Sequence, residues 1–172
     1  MAAQTVLIRE PRSDEIASIA EHLVRSWGST IVVTRGRAHD ASRLPTLVAT
    51  RDEGIVGVAT YRIEGGECEL VTLDALLPGQ GIGSALLARV GEEAERQGCR
   101  RLWLITTNDN LDAIRFYQRR GMRLVAVHPG AVDAARRIKP GISEVGNYGI
   151  PIHDELELEL LLASWDEERP NG

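Results

Sequence analysis

The chain has 172 residues, 43% of them apolar, and a formal net charge of −5; it is long and hydrophobic enough for a buried core and carries the wrong charge for a general nucleic-acid binder. Two cysteines, Cys68 and Cys99, and four scattered histidines, His22, His39, His128 and His153, form neither a disulfide framework nor a metal-ligand spacing, so no metal is expected. No apolar run reaches the roughly 18 residues of a membrane span and no signal-peptide region opens the chain, so a reducing cytoplasm with no membrane partner is expected.

"TVLIRE" (5 to 10) alternates as a first strand. Ser13 or Asp14 then caps a helix over roughly 14 to 26, with Ile16, Ile19, Ala20 and Leu23 at helical spacing. The stretch 27 to 45 reads as a short β segment followed by a loop. "TLVATRDEGIVGVATYRI" gives two strands around an Asp52-Glu53-Gly54 hairpin turn, and "CELVTLDALL" a further strand. A helix over about 82 to 97 steps Ile82, Leu86, Val90 and Ala94 along one face and ends at Gln97-Gly98. "RRLWLITT" is a buried strand, and "LDAIRFYQRR" is a short helix capped by Asp109 or Asn110 and stopped at Gly121. "MRLVAVH" is another strand. Residues 129 to 152 are irregular around the helical piece "AVDAARRI", and "DELELELLL" alternates as a last strand before a polar tail, 164 to 172.

Between the middle strand and the long helix lies "PGQGIGSALL", 78 to 87. A strand, a glycine turn and a helix start make an anion site: the first helical amides have no intrahelical partner, and the macrodipole adds partial positive charge. The turn lacks the lysine of a P-loop. Its G-x-G-x-G spacing, arriving mid-chain, fits a dinucleotide fingerprint poorly.

"LPGQGIGSALL" followed by "NLDAIRFYQRRGM" resembles the two signature segments of the GNAT superfamily of acyl-CoA-dependent N-acyltransferases, Q/R-x-x-G-x-G/A and N-x-x-A-x-x-Φ-Y with a later Gly-Φ. The first falls on 78 to 83; the second on Asn110, Ala113, Phe116, Tyr117 and Gly121-Met122. The departure is Pro78 at the Q/R position, which offers neither a side-chain contact nor an amide. The resemblance covers about 47 to 128 well. It implies a single α/β (α+β) domain, core about 4 to 163, whose mixed, mostly antiparallel twisted sheet of about six to seven strands is splayed at its centre and flanked by helices. It also implies acetyl-CoA as co-substrate. Pyrophosphate would lie on the amides of Gly79, Gln80, Gly81, Ile82, Gly83 and Ser84. The pantetheine arm would pass between "TLDAL", with Leu73, Ala75 and Leu76, and "LITTN", ending at Asn108. Asn110 would hydrogen-bond that arm or only cap its helix. Ala113 and Phe116 complete the motif.

By the same resemblance Tyr117 is the general acid for the departing thiolate: a phenol with an ordinary pKa near 10 can protonate a thiolate whose thiol titrates near 8.5. The alternative is a tyrosine that only packs its helix on the sheet. Candidate bases are Glu67, Glu69 and Asp74. Strict alternation puts the two glutamates on one face and Asp74 on the other, unless a bulge intervenes. The resemblance implies an acceptor amine of a small molecule or a peptide, attacking directly in a ternary complex; a non-catalytic acyl-CoA-binding module is the rival reading. Residues 129 to 152 form the candidate substrate wall, with Arg136, Arg137, Lys139, Tyr148 and His153, although Arg136, Arg137 and Lys139 read equally as a solvated helix face. Glu155, Glu157 and Glu159 read as an exposed strand face. A homodimer is left open.

Overall fold

The structure, a computed structural model, describes residues 5–52 and 54–162; Glu53 and the expected polar tail lie outside the described residues. Along the chain run β1 (Leu7–Arg9), α1 (Ile16–Trp27), β2 (Ile31–Thr34), β3 (Arg37–Asp40), β4 (Thr46–Arg51), β5 (Gly54–Glu64), β6 (Glu67–Ala75), α2 (Ile82–Arg96), β7 (Arg101–Thr107), α3 (Leu111–Gln118), β8 (Arg123–His128), α4 (Ala131–Ala135) and β9 (Glu155–Leu161). Seven strands form one sheet in the order β1-β4-β5-β6-β7-β9-β8. Every neighbouring pair is antiparallel except β6–β7. This is the mixed, mostly antiparallel sheet flanked by helices that the resemblance implies.

The parallel seam is short. β6 and β7 pair only at Glu67↔Arg101, Cys68↔Leu102 and Glu69↔Trp103, after which the strands part. On its other edge β6 keeps pairing with β5 up to Ala75, with a register shift: Thr60 faces Thr72 but Tyr61 faces Leu70, leaving Val71 as the extra residue. A bulge bends and twists its strand, and this one lies just past the last β6–β7 pair. It also resets the alternation. Glu69 bonds Thr34 of β2, and Asp74 bonds His22 and Trp27 of α1, so both lie on the α1 and β2 side of the sheet.

The core lies on both sheet faces. α2 lays Ile82, Leu86, Val90 and Ala94, all fully buried, onto one face with Leu47, Ala59 and Leu102. α1 covers the other with Ile19 and Leu23 against Val48, Val58 and Val71. Gly57 sets how closely α2 approaches β5: a Cβ there would meet Ile82 Cγ2 at 2.6 Å and Leu86 Cδ1 at 2.9 Å. Gly57→Ala is therefore expected to destabilise the fold by about 1–3 kcal/mol, read as a lower urea midpoint; an unchanged midpoint would contradict this packing.

Three expectations change. The 27 to 45 stretch holds a hairpin, β2–β3, turned at Arg35 and Gly36 with φ of 49° and 74°, the backbone of a type I′ turn. Neither Ser13 nor Asp14 caps α1. Glu15 instead accepts the Arg12 amide at 2.7 Å and pairs with Arg9 at 2.8 Å, and those bonds hold its carboxyl at about 2. The glutamates of β9 are not all an open polar face either: Glu155 and Glu157 are buried, under the β2–β3 turn and the Arg101 side chain. Arg101 bonds Glu157 and Glu159 at 2.9 and 2.8 Å, and the Arg35 amide donates to Glu155 at 3.0 Å.

Candidate active site

The glycine turn opens a cavity of about 910 Å³ lined by Ala75, Leu77, Pro78, Gly79, Gly81, Ile82, Gly83, Ser84 and, from the α3 side, Asp112, Arg115, Phe116, Arg119 and Arg120. Gly79 and Gly81 have φ of 76° and 75°, a left-handed conformation that costs a side-chain-bearing residue about 1–2 kcal/mol. Gly81 is the N-cap of α2, and no side chain caps the helix there. The first α2 amides are thus free to meet an anion.

Gly83 serves differently from the other two. It is helical, and its missing Cβ leaves room for the Phe116 ring, whose Cζ would lie 3.2 Å from one, so it sets the approach of α3 to α2. Ile82 is core and can offer only its amide. The Gln80 side chain is taken by Arg51, and Ser84 Oγ accepts from Arg120 Nε at 2.7 Å. The Arg120 guanidinium also lies 3.6 Å over the Phe116 ring. With Arg115 and Arg119 it makes the far wall strongly cationic, with Asp112 the one acid lining the cavity.

At the splay, Ala75 lines this cavity, Leu73 packs on the core, and Leu76 is exposed with its amide bonded to Val56 O at 2.9 Å. Among the described residues, the β6 edge that faces β7 has no strand partner beyond Glu69. Asp74 Oδ2 lies 3.1 Å from His22 Nε2 and accepts from Trp27 Nε1 at 2.9 Å. Tyr117 is buried on the opposite face, with Ala113 and Phe116 packed beside it, its ring edge-on to Phe116 at 5.0 Å. Burial first, then the negative charge of Asp74, push its phenol above the ordinary value, so it stays protonated at neutral pH.

Two sequence candidates have other occupations. Glu69 is fully buried, accepting Arg62 Nε at 2.5 Å and Thr34 Oγ1 at 2.6 Å. Both of its oxygens are thus engaged in a buried ion pair and hydrogen bond, away from the cavity. Asn108 donates to Pro151 O at 2.9 Å and accepts the amides of His153 and Asp154, each at 3.0 Å, fastening the 151–154 backbone to the end of β7. Asn110 caps α3: its Oδ1 accepts the Ala113 amide at 3.3 Å, which leaves Nδ2 as its donor.

No residue of the 129 to 152 segment is among those lining this cavity, and Arg136 is engaged within the segment. It bonds the carbonyls of Ile142, Ser143 and Ile152 and the Asp133 carboxylate. His153 pairs with Asp133 at 3.1 Å, and Lys139 donates to Trp27 O at 2.9 Å, its amine pKa lowered by burial. Tyr148 donates to Asp112 at 2.7 Å. Among the described residues no cluster of His, Cys, Asp or Glu is placed to hold a metal, and no helix is long and apolar enough to cross a membrane.

Sequence reasoning passed over Arg115, Arg119 and Arg120, although their spacing along one short helix and its end signals a cationic patch. It also passed over His22 and Trp27, which no local pattern ties to Asp74.

The sequence model of the acetyltransferase (GNAT) family matches residues 13–122. The chain is 42% identical over 147 residues to the uncharacterized protein YdhI of Bacillus subtilis (strain 168), covering 84% of this chain and 92% of that one. Its fold matches an IAA acetyltransferase from Bacillus cereus at TM-score 0.67 and 21% identity, over 92% of this chain and 100% of that one. It also matches a GNAT family acetyltransferase from Elizabethkingia anophelis with acetyl-CoA bound, at TM-score 0.66 and 16% identity, over 93% of this chain and 100% of that one.

Proposed function

Since the chain belongs to the acetyltransferase (GNAT) family, we propose that it transfers an acetyl group from acetyl-CoA to the amine of a small molecule or peptide by direct attack in a ternary complex. The observation that carries this reading is the seam where β6 and β7 part, with Asp74 on one face, Tyr117 on the other, and the cationic cleft beside the glycine turn.

The residues present fit the co-substrate. The uncapped α2 amides and left-handed glycines suit a pyrophosphate, and Arg115, Arg119 and Arg120 supply the opposite charge. The open β6 edge past Glu69 and the Asn110 Nδ2 donor suit the amides of a pantetheine chain. The bound co-substrate would supply an acetyl group activated as a thioester. Asp74 takes up the amine proton, through the oxygen its two donors leave open. Tyr117 is protonated in its buried site, and it gives that proton or a hydrogen bond to the thiolate as negative charge develops on sulfur. Backbone amides at the splay are the donors available for charge developing on oxygen.

The test is thiol release from acetyl-CoA with a panel of amines: an alkylamine, a diamine, an amino acid and a dipeptide. Amine-dependent release is expected. Thermal stabilisation by acetyl-CoA with no release on any amine would instead mark a binding module. Coenzyme A affinity tests the cleft. Gly81→Asp sets a carboxylate beside the phosphates and strains the turn, and Arg120→Ala removes a cation; each is expected to weaken binding at least about tenfold by calorimetry. Unchanged affinity in both would place the phosphates elsewhere.

A further inference from the structure

Asp74 lies near the end of β6, a central strand of the sheet. Both of its neighbours contact the same oxygen, Oδ2: the Trp27 indole N–H at 2.9 Å and His22 Nε2 at 3.1 Å. Indole is only a donor and an ionised carboxylate only an acceptor, so Nε2 must carry the proton in the His22 contact. Among the described residues Oδ1 has no partner. The pair is largely shielded, its side chains 11% and 19% exposed for His22 and Asp74.

α1 fixes both donors. Ile19 and Leu23 seat it on the sheet, and His22, Ser26 and Trp27 follow at helical spacing. Ser26 Oγ lies 3.3 Å from His22 Nε2. Lys139 ties down the Trp27 carbonyl, where Gly28 ends the helix at φ 74°. The polar contacts of His22 and Trp27 with Asp74 lie beside this apolar cluster and are not part of it.

We propose that His22 is a positioning residue for the base: its Nε2–H, together with the indole of Trp27, fixes Oδ2 of Asp74 so that Oδ1 is the oxygen presented to the acceptor amine. The proton leaving the amine nitrogen ends on Oδ1, and His22 keeps its own. The proposal rests on the reading of Asp74 as the base.

The experiment measures thiol release with the amine that the panel shows to be turned over fastest, alongside acetyl-CoA affinity and melting temperature. His22→Ala is expected to lower kcat about thirtyfold with the amine KM changed less than about threefold, because a displaced base costs rate rather than binding. His22→Gln, whose amide can still donate to Oδ2, is expected to recover to within about fivefold of wild type. A His22→Ala kcat within threefold of wild type, with Asp74→Asn slow, would overturn the positioning role and leave the base reading intact. Equal losses in the Ala and Gln variants at matched melting temperature would also overturn it, as would a loss confined to KM. Full activity in Asp74→Asn, or no turnover of any amine by wild type, would sink the base reading and this proposal with it. Should His22→Ala fail to fold, the Gln variant alone decides: a slow, folded His22→Gln with unchanged amine KM and acetyl-CoA affinity contradicts the proposal.

Discussion

Tyr117→Phe is expected to lower kcat about a hundredfold or more, with acetyl-CoA affinity and melting temperature close to wild type. The substitution removes one oxygen from a buried ring that makes no side-chain hydrogen bond among the described residues, so the core around Phe116 and Leu104 stays filled. What goes is the phenol proton that, in the proposed mechanism, meets the departing thiolate. Burial and the charge of Asp74 both hold the proton on this phenol. The sign follows: the donor form persists below the raised pKa, so wild-type kcat is not expected to fall through ionisation of Tyr117 at any pH below about 10. If Phe at this position leaves kcat unchanged, Tyr117 is a packing residue.

Asp74→Asn is expected to cut kcat/KM for a protonated amine by roughly a hundred- to a thousandfold. The substitution is gentle on structure, since an asparagine oxygen can still accept from the Trp27 and His22 donors that now meet Oδ2. Only the capacity to take a proton is lost. The pH dependence checks this directly. An alkyl amine loses its own proton as pH rises toward 10, so the variant should gain activity through the alkaline range while wild type levels off. A variant deficit that stays constant at every pH would mean Asp74 acts through binding instead.

The parts of this site that sequence reveals are those written locally. The glycine turn and the Asn110 cap are fixed by backbone conformation and helix-end hydrogen bonds within a few residues, so "PGQGIG" and "NLDAIRFY" can be read directly. The alternating strands are equally plain. Tertiary context decided the rest. Whether Asp74 joins the Glu69 face depends on one unpaired residue, Val71, whose bulge forms only against β5. The period-2 glutamates of β9 look solvated until a second hairpin and Arg101 are seen to cover and neutralise them. His22 and Asp74 are 52 residues apart, so nothing in the local pattern joins them. Gly83 reads as part of an open turn but is spent on helix packing, which only the Phe116 contact discloses.

The most direct measurement is a crystal structure of the acetyl-CoA complex. The account predicts pyrophosphate oxygens on the amides between Gly79 and Ser84, the acyl chain between β6 and β7, and the thioester sulfur within hydrogen-bonding reach of the Tyr117 hydroxyl. The carbonyl should be open to approach from the side of Asp74. Phosphates bound away from the glycine turn, or a thioester that lies outside the splay and out of reach of both side chains, would contradict it.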